Sequence, residues 1–193
     1  RDDLAAAVAA SLFLFAGLLY ILTMAPGTLF GDPSEYQFIP AIWGIAHPPG
    51  YAFYTLLAGV WQRLVPVGSV AYRTNLLAGV AGAWTVSRVT LMTFIVAGGR
   101  ERTTAGDRAT WALLSAAAAG LSVAVMPDLW QHSIHANAHV VSVAITSTQL
   151  WLLMRWQASD RAGLLFALAF MVGIGVAHHP ITLWGVPAYG IFI

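Results

Sequence analysis

The sequence predicts an all-α membrane protein, a polytopic transmembrane bundle of about six hydrophobic helices with in-plane helices in its first loop. Three observations point there. Hydrophobic residues make up 59% of the 193 residues and charged ones 9%, and the mean hydropathy is +0.73, far outside the range of soluble domains. Apolar stretches close to the ~20 residues that cross hydrocarbon as a helix recur along the chain. Arginines fall at alternate ends of those stretches, the pattern that sets membrane orientation.

Residues 4–24 form an unbroken apolar run, ended by Ala25-Pro26-Gly27. Asp32-Pro33-Ser34-Glu35 reads as a helix start, with an acceptor at the cap, proline at N1 and a carboxylate at N3. That helix is expected to reach Ile45 and to stop at His47-Pro48-Pro49-Gly50. Residues 51–64 are apolar but short, and Val65-Pro66-Val67-Gly68 interrupts before Ser69, a natural cap. Residues 72–97 are the second span, with Asn75 near one end and Arg88 well inside, read as a packing or snorkelling arginine. Residues 98–108 are the most polar linker. Residues 109–125 are the third span, whose Ala116 and Gly120 suit close helix packing. Residues 139–156, 162–177 and 181–193 are the fourth, fifth and sixth.

The stretches 25–50, 126–138 and 178–180 contain no arginine or lysine. The positive-inside rule therefore puts the N-terminus, 98–108 and 157–161 in the cytoplasm. Residues 51–64 must then lie in the plane or re-enter, or Arg100, Arg102 and Arg108 would face outward. All six histidines, with Asp32, Glu35 and Asp128, collect at the extracytoplasmic face. The net charge of +1 says nothing about nucleic acid, but no lysine or arginine cluster reaches the density of a phosphate-tracking surface, so no nucleic-acid partner is expected. The absence of cysteine excludes disulfides and thiolate metal sites. A chain that begins at Arg1 and ends inside an apolar run is expected to be a single transmembrane domain, residues 1–193, from the N-terminal part of a longer membrane module.

Ionisable groups beside a bilayer are expensive and mark function. Asp32 is the candidate general base, with Glu35 as the second acid beside it, structural or supporting Asp32. His47 is forced extended by Pro48, so its ring can face the Asp32 loop. Arg73, beside Tyr72 and Asn75, is the candidate partner for a phosphate or carboxylate. His178 and His179 are expected to line the same cavity. His132, His135 and His139 share a face if one helix runs through them, a weaker candidate for a divalent metal ion. The tryptophans are expected to anchor at the interfaces.

Gly31-Asp32-x-x-Glu35-Tyr36, Gly44-Ile45-Ala46-His47-Pro48-Pro49-Gly50-Tyr51, Ala71-Tyr72-Arg73-x-Asn75-Leu76-Leu77 and Gly173-x-Gly175-x-x-His178-His179 together resemble one family. It is the bacterial group of polytopic proteins related to protein O-mannosyltransferases, glycosyltransferases of the GT-C class. The resemblance implies an inner-membrane enzyme moving a sugar from a polyprenyl-phosphate donor to an extracytoplasmic hydroxyl, without a cofactor. Asp32 would be the catalytic acid of the first outer loop, and His47, Tyr51, Arg73, His178 and His179 would contact substrate. The chain departs from that pattern at Ala136-Asn137-Ala138-His139, where a carboxylate is expected. That departure leaves a second expectation open: a non-catalytic accessory subunit of a membrane complex, photosynthetic or respiratory, binding lipid, partner transmembrane subunits or pigment. In that setting His139 or His178 would be an axial ligand.

Overall fold

The computed structural model describes residues 1–99 and 106–193. Most of the expected polar linker lies outside the described residues. All described elements are helical: α1 (Asp2–Thr23), α2 (Asp32–Ile42), α3 (Ala52–Leu64), α4 (Val70–Val96), α5 (Gly106–Ala124), α6 (Pro127–Ser133), α7 (Ala138–Gln157) and α8 (Ala162–His178). A 3-10 turn (Pro180–Gly185) and α9 (Val186–Phe192) follow.

Among the described residues, α1 and α4 are long and apolar enough to cross a membrane. The pair α5 and α6 adds a third if it is one span, bent by 59° at the break. α8 is apolar but only 17 residues long. α7 has the length, but Gln149, Arg155 and four hydroxyl residues dilute its apolarity. The expected sixth span is corrected: residues 181–193 divide into the 3-10 turn and a seven-residue helix. Pro180 and Pro187 each remove a backbone donor there, so no continuous helical ladder forms.

α4 is the central element. α1 runs antiparallel to it, with Tyr20 and Met24 against Gly79 near one end and Ala5 against Phe94 near the other. α7 runs parallel to α4, and Trp84 Nε1 donates to Thr148 Oγ1 at 2.9 Å. α8 returns antiparallel to α7, tied by Gln149 Nε2 to the Met171 carbonyl at 3.0 Å. The small residues of α5 do what their spacing predicts. A Cβ on Gly120 would collide with Thr90 Oγ1 and Leu12 Cδ1, while Ala116 is buried against α1 and α4. Gly120→Leu is therefore expected to destabilise the bundle by about 1–3 kcal/mol through overpacking. An unchanged unfolding midpoint in detergent would show that α5 is not held this closely.

Ser69 caps α4 as expected, its Oγ accepting from the Tyr72 N–H at 3.1 Å. The start of α2 differs from expectation. The cap is Gly31, whose φ of 79° and ψ of −150° suit a residue without a side chain. Asp32 is moved into the first turn, and no side-chain capping bond forms. Both carboxylates are thereby released from the capping box. α2 also ends at Ile42 rather than Ile45, because Trp43 turns left-handed at φ 54° and the Gly44 N–H closes back on the Ile39 carbonyl.

One buried residue joins the loops at this end. Asn75, wholly buried, accepts at Oδ1 from Gln37 Nε2 and from the Ala136 N–H, both at 2.8 Å. Its Nδ2 donates to the carbonyls of Ala25 and Gly27 at 2.8 and 3.3 Å. One amide thus ties the exit of α1, helix α2 and the break after α6 to α4.

A candidate active site on the histidine rim

The ends of α1, α5 and α8 and the starts of α2, α4 and α7 meet on one face of the bundle. Asp32, Glu35 and His47 each place one ligand-type atom there, all within 4.8 Å of one another. Glu35 accepts twice from His47: from its backbone N–H at 2.6 Å and from ring Nδ1 at 2.8 Å. The ring bond first, then the backbone bond, holds the Glu35 carboxyl below the usual carboxylate range. Asp32 is exposed at the first turn of α2 and keeps its carboxylate open to a reactant. His47 was expected to bond substrate or Asp32; its ring is spent on Glu35 instead.

The Glu35 shift has a sign that can be checked. Its native value is depressed, so ionised Glu35 contributes stability at pH above the ordinary carboxyl value of 4.5. That contribution is lost as pH falls through the lower native value. Glu35→Gln is expected to flatten the acid limb of a stability-versus-pH curve and leave the neutral limb parallel to wild type. An acid limb identical in both proteins would remove the Glu35–His47 pair from the account.

Tyr51 is the residue that joins this acidic group to the remaining imidazoles. It caps α3 in the left-handed region, at φ 47° and ψ 46°, a backbone state that costs a bulky residue of order 1–3 kcal/mol. Packing holds it there. Its ring centroid lies 5.5 Å from His47, 6.0 Å from His139, 6.0 Å from His178 and 5.2 Å from His179. Tyr36 lies 5.4 Å away on the α2 side, and burial pushes its phenol up, so it stays a neutral donor. The Tyr36 hydroxyl is buried without a protein partner among the described residues.

His178 is buried, and its Nε2 bonds the Ala138 carbonyl at 2.9 Å. A carbonyl only accepts, so Nε2 carries the proton; Nδ1 is left without a protein partner. His179 Nδ1 accepts from the Ile181 N–H at 3.0 Å and so starts the 3-10 turn. His139, 5.5 Å from His179, also lines a groove of about 420 Å³ between α4 and α7, with Ser142, Thr146 and Ser147. Glu35 lines a separate open cleft of about 680 Å³ with Thr28, Ser34 and Val70.

Two expectations fail here. Arg73 is not part of the group: its guanidinium donates to the carbonyls of Gln62, Val67 and Gly68 at 2.9, 3.3 and 3.2 Å. It clamps the turn before α4. His132, His135 and His139 do not share a helical face, because α6 ends at Ser133 and α7 starts at Ala138. His132 and His135 stay 5.8 Å apart by ring centroid, and His132 bonds Asn137, while His139 turns to His179 and Tyr51. A cation held by Asp32, Glu35 and His47 fits the donor set better than one held by these three. Asn137, at the position of the expected carboxylate, caps α7 through the His139 and Val140 N–H groups at 2.8 and 3.3 Å.

Sequence reasoning missed Tyr51 as the junction, Tyr36 as the buried phenol beside it, and Asn75 as the tie beneath them. The His-Pro-Pro-Gly-Tyr run was visible, but the left-handed turn that aims Tyr51 inward was not.

Known proteins carry the same arrangement of sequence. The chain is 30% identical over 179 residues, 90% of its length, to the protein O-mannosyl-transferase TMEM260 of Mus musculus. It is 30% identical over 74 residues, 37% of its length, to the protein O-mannosyl-transferase tmem260 of Dictyostelium discoideum. The chain spans 24% of the mouse protein and 9% of the Dictyostelium one within these matches. No solved structure matches it. A family profile described as the protein O-mannosyl-transferase TMEM260 N-terminal domain matches residues 32–193, a stretch that opens on Asp32 and takes in every residue of the histidine rim. The chain therefore belongs to the TMEM260 N-terminal domain family of protein O-mannosyl-transferases.

Proposed function

We propose that this chain is the N-terminal part of a membrane glycosyltransferase with a GT-C-like helical module. It transfers a sugar, mannose by the names of its relatives, from a polyprenyl-phosphate donor to an acceptor hydroxyl. The single observation that carries the reading is the juxtaposition of Asp32, Glu35 and His47 with the Tyr51-centred imidazoles, in a chain of this family. Asp32 is the general base. The acceptor oxygen forms a bond to the anomeric carbon, its proton passes to Asp32, and the bond from that carbon to the donor phosphate breaks. The leaving group is already a phosphate anion, so no strong acid is required. Glu35 and His47 hold each other and the loop that carries Asp32. His178 Nδ1 is a buried polar atom without a protein partner beneath the rim, and His139 lines the α4–α7 groove, where the donor's isoprenoid chain fits.

The histidine rim faces away from the cytoplasm in this reading, with the N-terminus inside. The bundle is completed to its polytopic form in a bacterial inner membrane. Purified full-length protein in lipid nanodiscs, given polyprenyl-phosphate mannose and a hydroxyl acceptor, tests it. Donor-dependent labelling of the acceptor is the expected result. Donor binding without any turnover would leave an accessory role as the better account.

A further inference from the structure

The arginines on this chain show how their donors are normally used, and two do not conform. Arg63 stacks on Trp43 at 4.3 Å and donates to the carbonyls of Gly59 and Ala41. Arg73 spends its guanidinium on three carbonyls. Arg88 and Arg155 are placed differently, at the end of the bundle opposite the histidine rim. The Arg88 guanidinium lies 4.2 Å from the Trp84 ring and 4.5 Å from the Trp151 ring. The Arg155 guanidinium lies 5.7 Å from the same Trp151 ring.

Neither arginine has a carboxylate partner among the described residues. Arg88 reaches only Ser87 Oγ, at 3.3 Å, and the Nε of each arginine is buried without an acceptor. Both line one cleft of about 280 Å³, whose other walls include Ala5, Leu91 and Phe94. Asp2 also lines the cleft. Two half-buried like charges sharing one indole repel each other, and the Nε of each is left without an acceptor. An anion entering the cleft relieves both problems. A guanidinium fork fits phosphate oxygens in particular, and stacking on indole holds the fork still.

We propose that the cleft formed by Arg88, Trp151 and Arg155 is an anion site that takes the phosphate of a membrane-lipid headgroup. The cleft lies against the first turns of α1, at Asp2, Ala5 and Ala6. A span beginning there brings it to headgroup depth. Trp84 and Trp151 keep the guanidiniums in place, and the acyl chains run along the exposed apolar faces below. This site shares no residue with the histidine rim.

The test uses full-length protein in detergent. Tryptophan fluorescence and the thermal midpoint are titrated with dihexanoyl phosphatidylglycerol, with dihexanoylglycerol, which lacks the phosphate, and with inorganic phosphate. A saturable response to phosphatidylglycerol and none to dihexanoylglycerol is expected. Arg88→Gln and Arg155→Gln are each expected to weaken it about tenfold or more, the loss of a charge-assisted bond. If Arg88→Gln does not fold, Arg155→Gln in the last turn of α7 carries the comparison. Inorganic phosphate acting at the same concentration as the lipid would overturn the lipid assignment. No saturable response, or one unchanged in both variants, would overturn the site.

Discussion

Asp32→Asn is expected to lower sugar transfer by about 10²–10⁴-fold, the usual contribution of a positioned general base, without disturbing the fold. The two halves of that expectation have separate causes. Asparagine is nearly the same shape but cannot take the acceptor proton at neutral pH. Asp32 is exposed in the first turn of α2 and forms no capping bond, so its replacement should stay within about 0.5 kcal/mol of wild type in stability. Glu35 is the less available carboxylate of the pair. Two bonds from His47 keep its carboxyl in the ionised form and occupy its oxygens. Glu35→Gln should therefore cost less activity than Asp32→Asn, and part of that cost should come through the loosened His47 segment. Turnover that survives Asp32→Asn but fails in Glu35→Gln would exchange the two roles.

Replacing Asn75 by alanine should do the opposite, removing the fold before the chemistry can be assayed. The side chain is wholly buried and closes four hydrogen bonds to three separate segments. Alanine would leave the Ala136 N–H and the Ala25 carbonyl without their partner, and Gln37 Nε2 with only the Gly27 carbonyl. At about 1–3 kcal/mol for each orphaned buried group, partly relieved by relaxation, the expected loss is about 3–5 kcal/mol. Leucine should be no better, since its bulk supplies neither donor nor acceptor. Urea or thermal unfolding in detergent measures this, read beside Asp32→Asn as the stable comparison. A wild-type midpoint for Asn75→Ala would mean that water replaces the amide and that the loops do not depend on it.

The class of this protein was written in its composition and periodicity. Long apolar runs cannot be buried in 193 residues except in lipid or a partner, so the helical membrane reading needed no coordinates. The apolar core of each helix was equally plain, as were the Ser69 cap and the tight approach at Ala116 and Gly120, because these depend on neighbours three or four residues away. Clustering of the acids and histidines at one end followed from the same arithmetic of alternating spans. The site residues themselves were only partly legible. Asp32, Glu35, His47, Tyr51, His178 and His179 do gather, but Arg73, placed there by its charge and its position beside Tyr72 and Asn75, is claimed by backbone carbonyls.

What the chain could not show by itself were the places where a backbone turn decides a side chain's direction. Gly31, not Asp32, caps α2, and that shift frees both carboxylates. The break between Ser133 and Ala138 sends His139 away from His132 and His135. Tyr51 points inward only because α3 begins with a left-handed residue. Local pattern determines which segments are helical, since hydrogen bonds and apolar spacing act within a few residues. Which side chains meet across 40 or 100 residues is decided by how the helix ends pack, and that competition is settled only in the folded bundle.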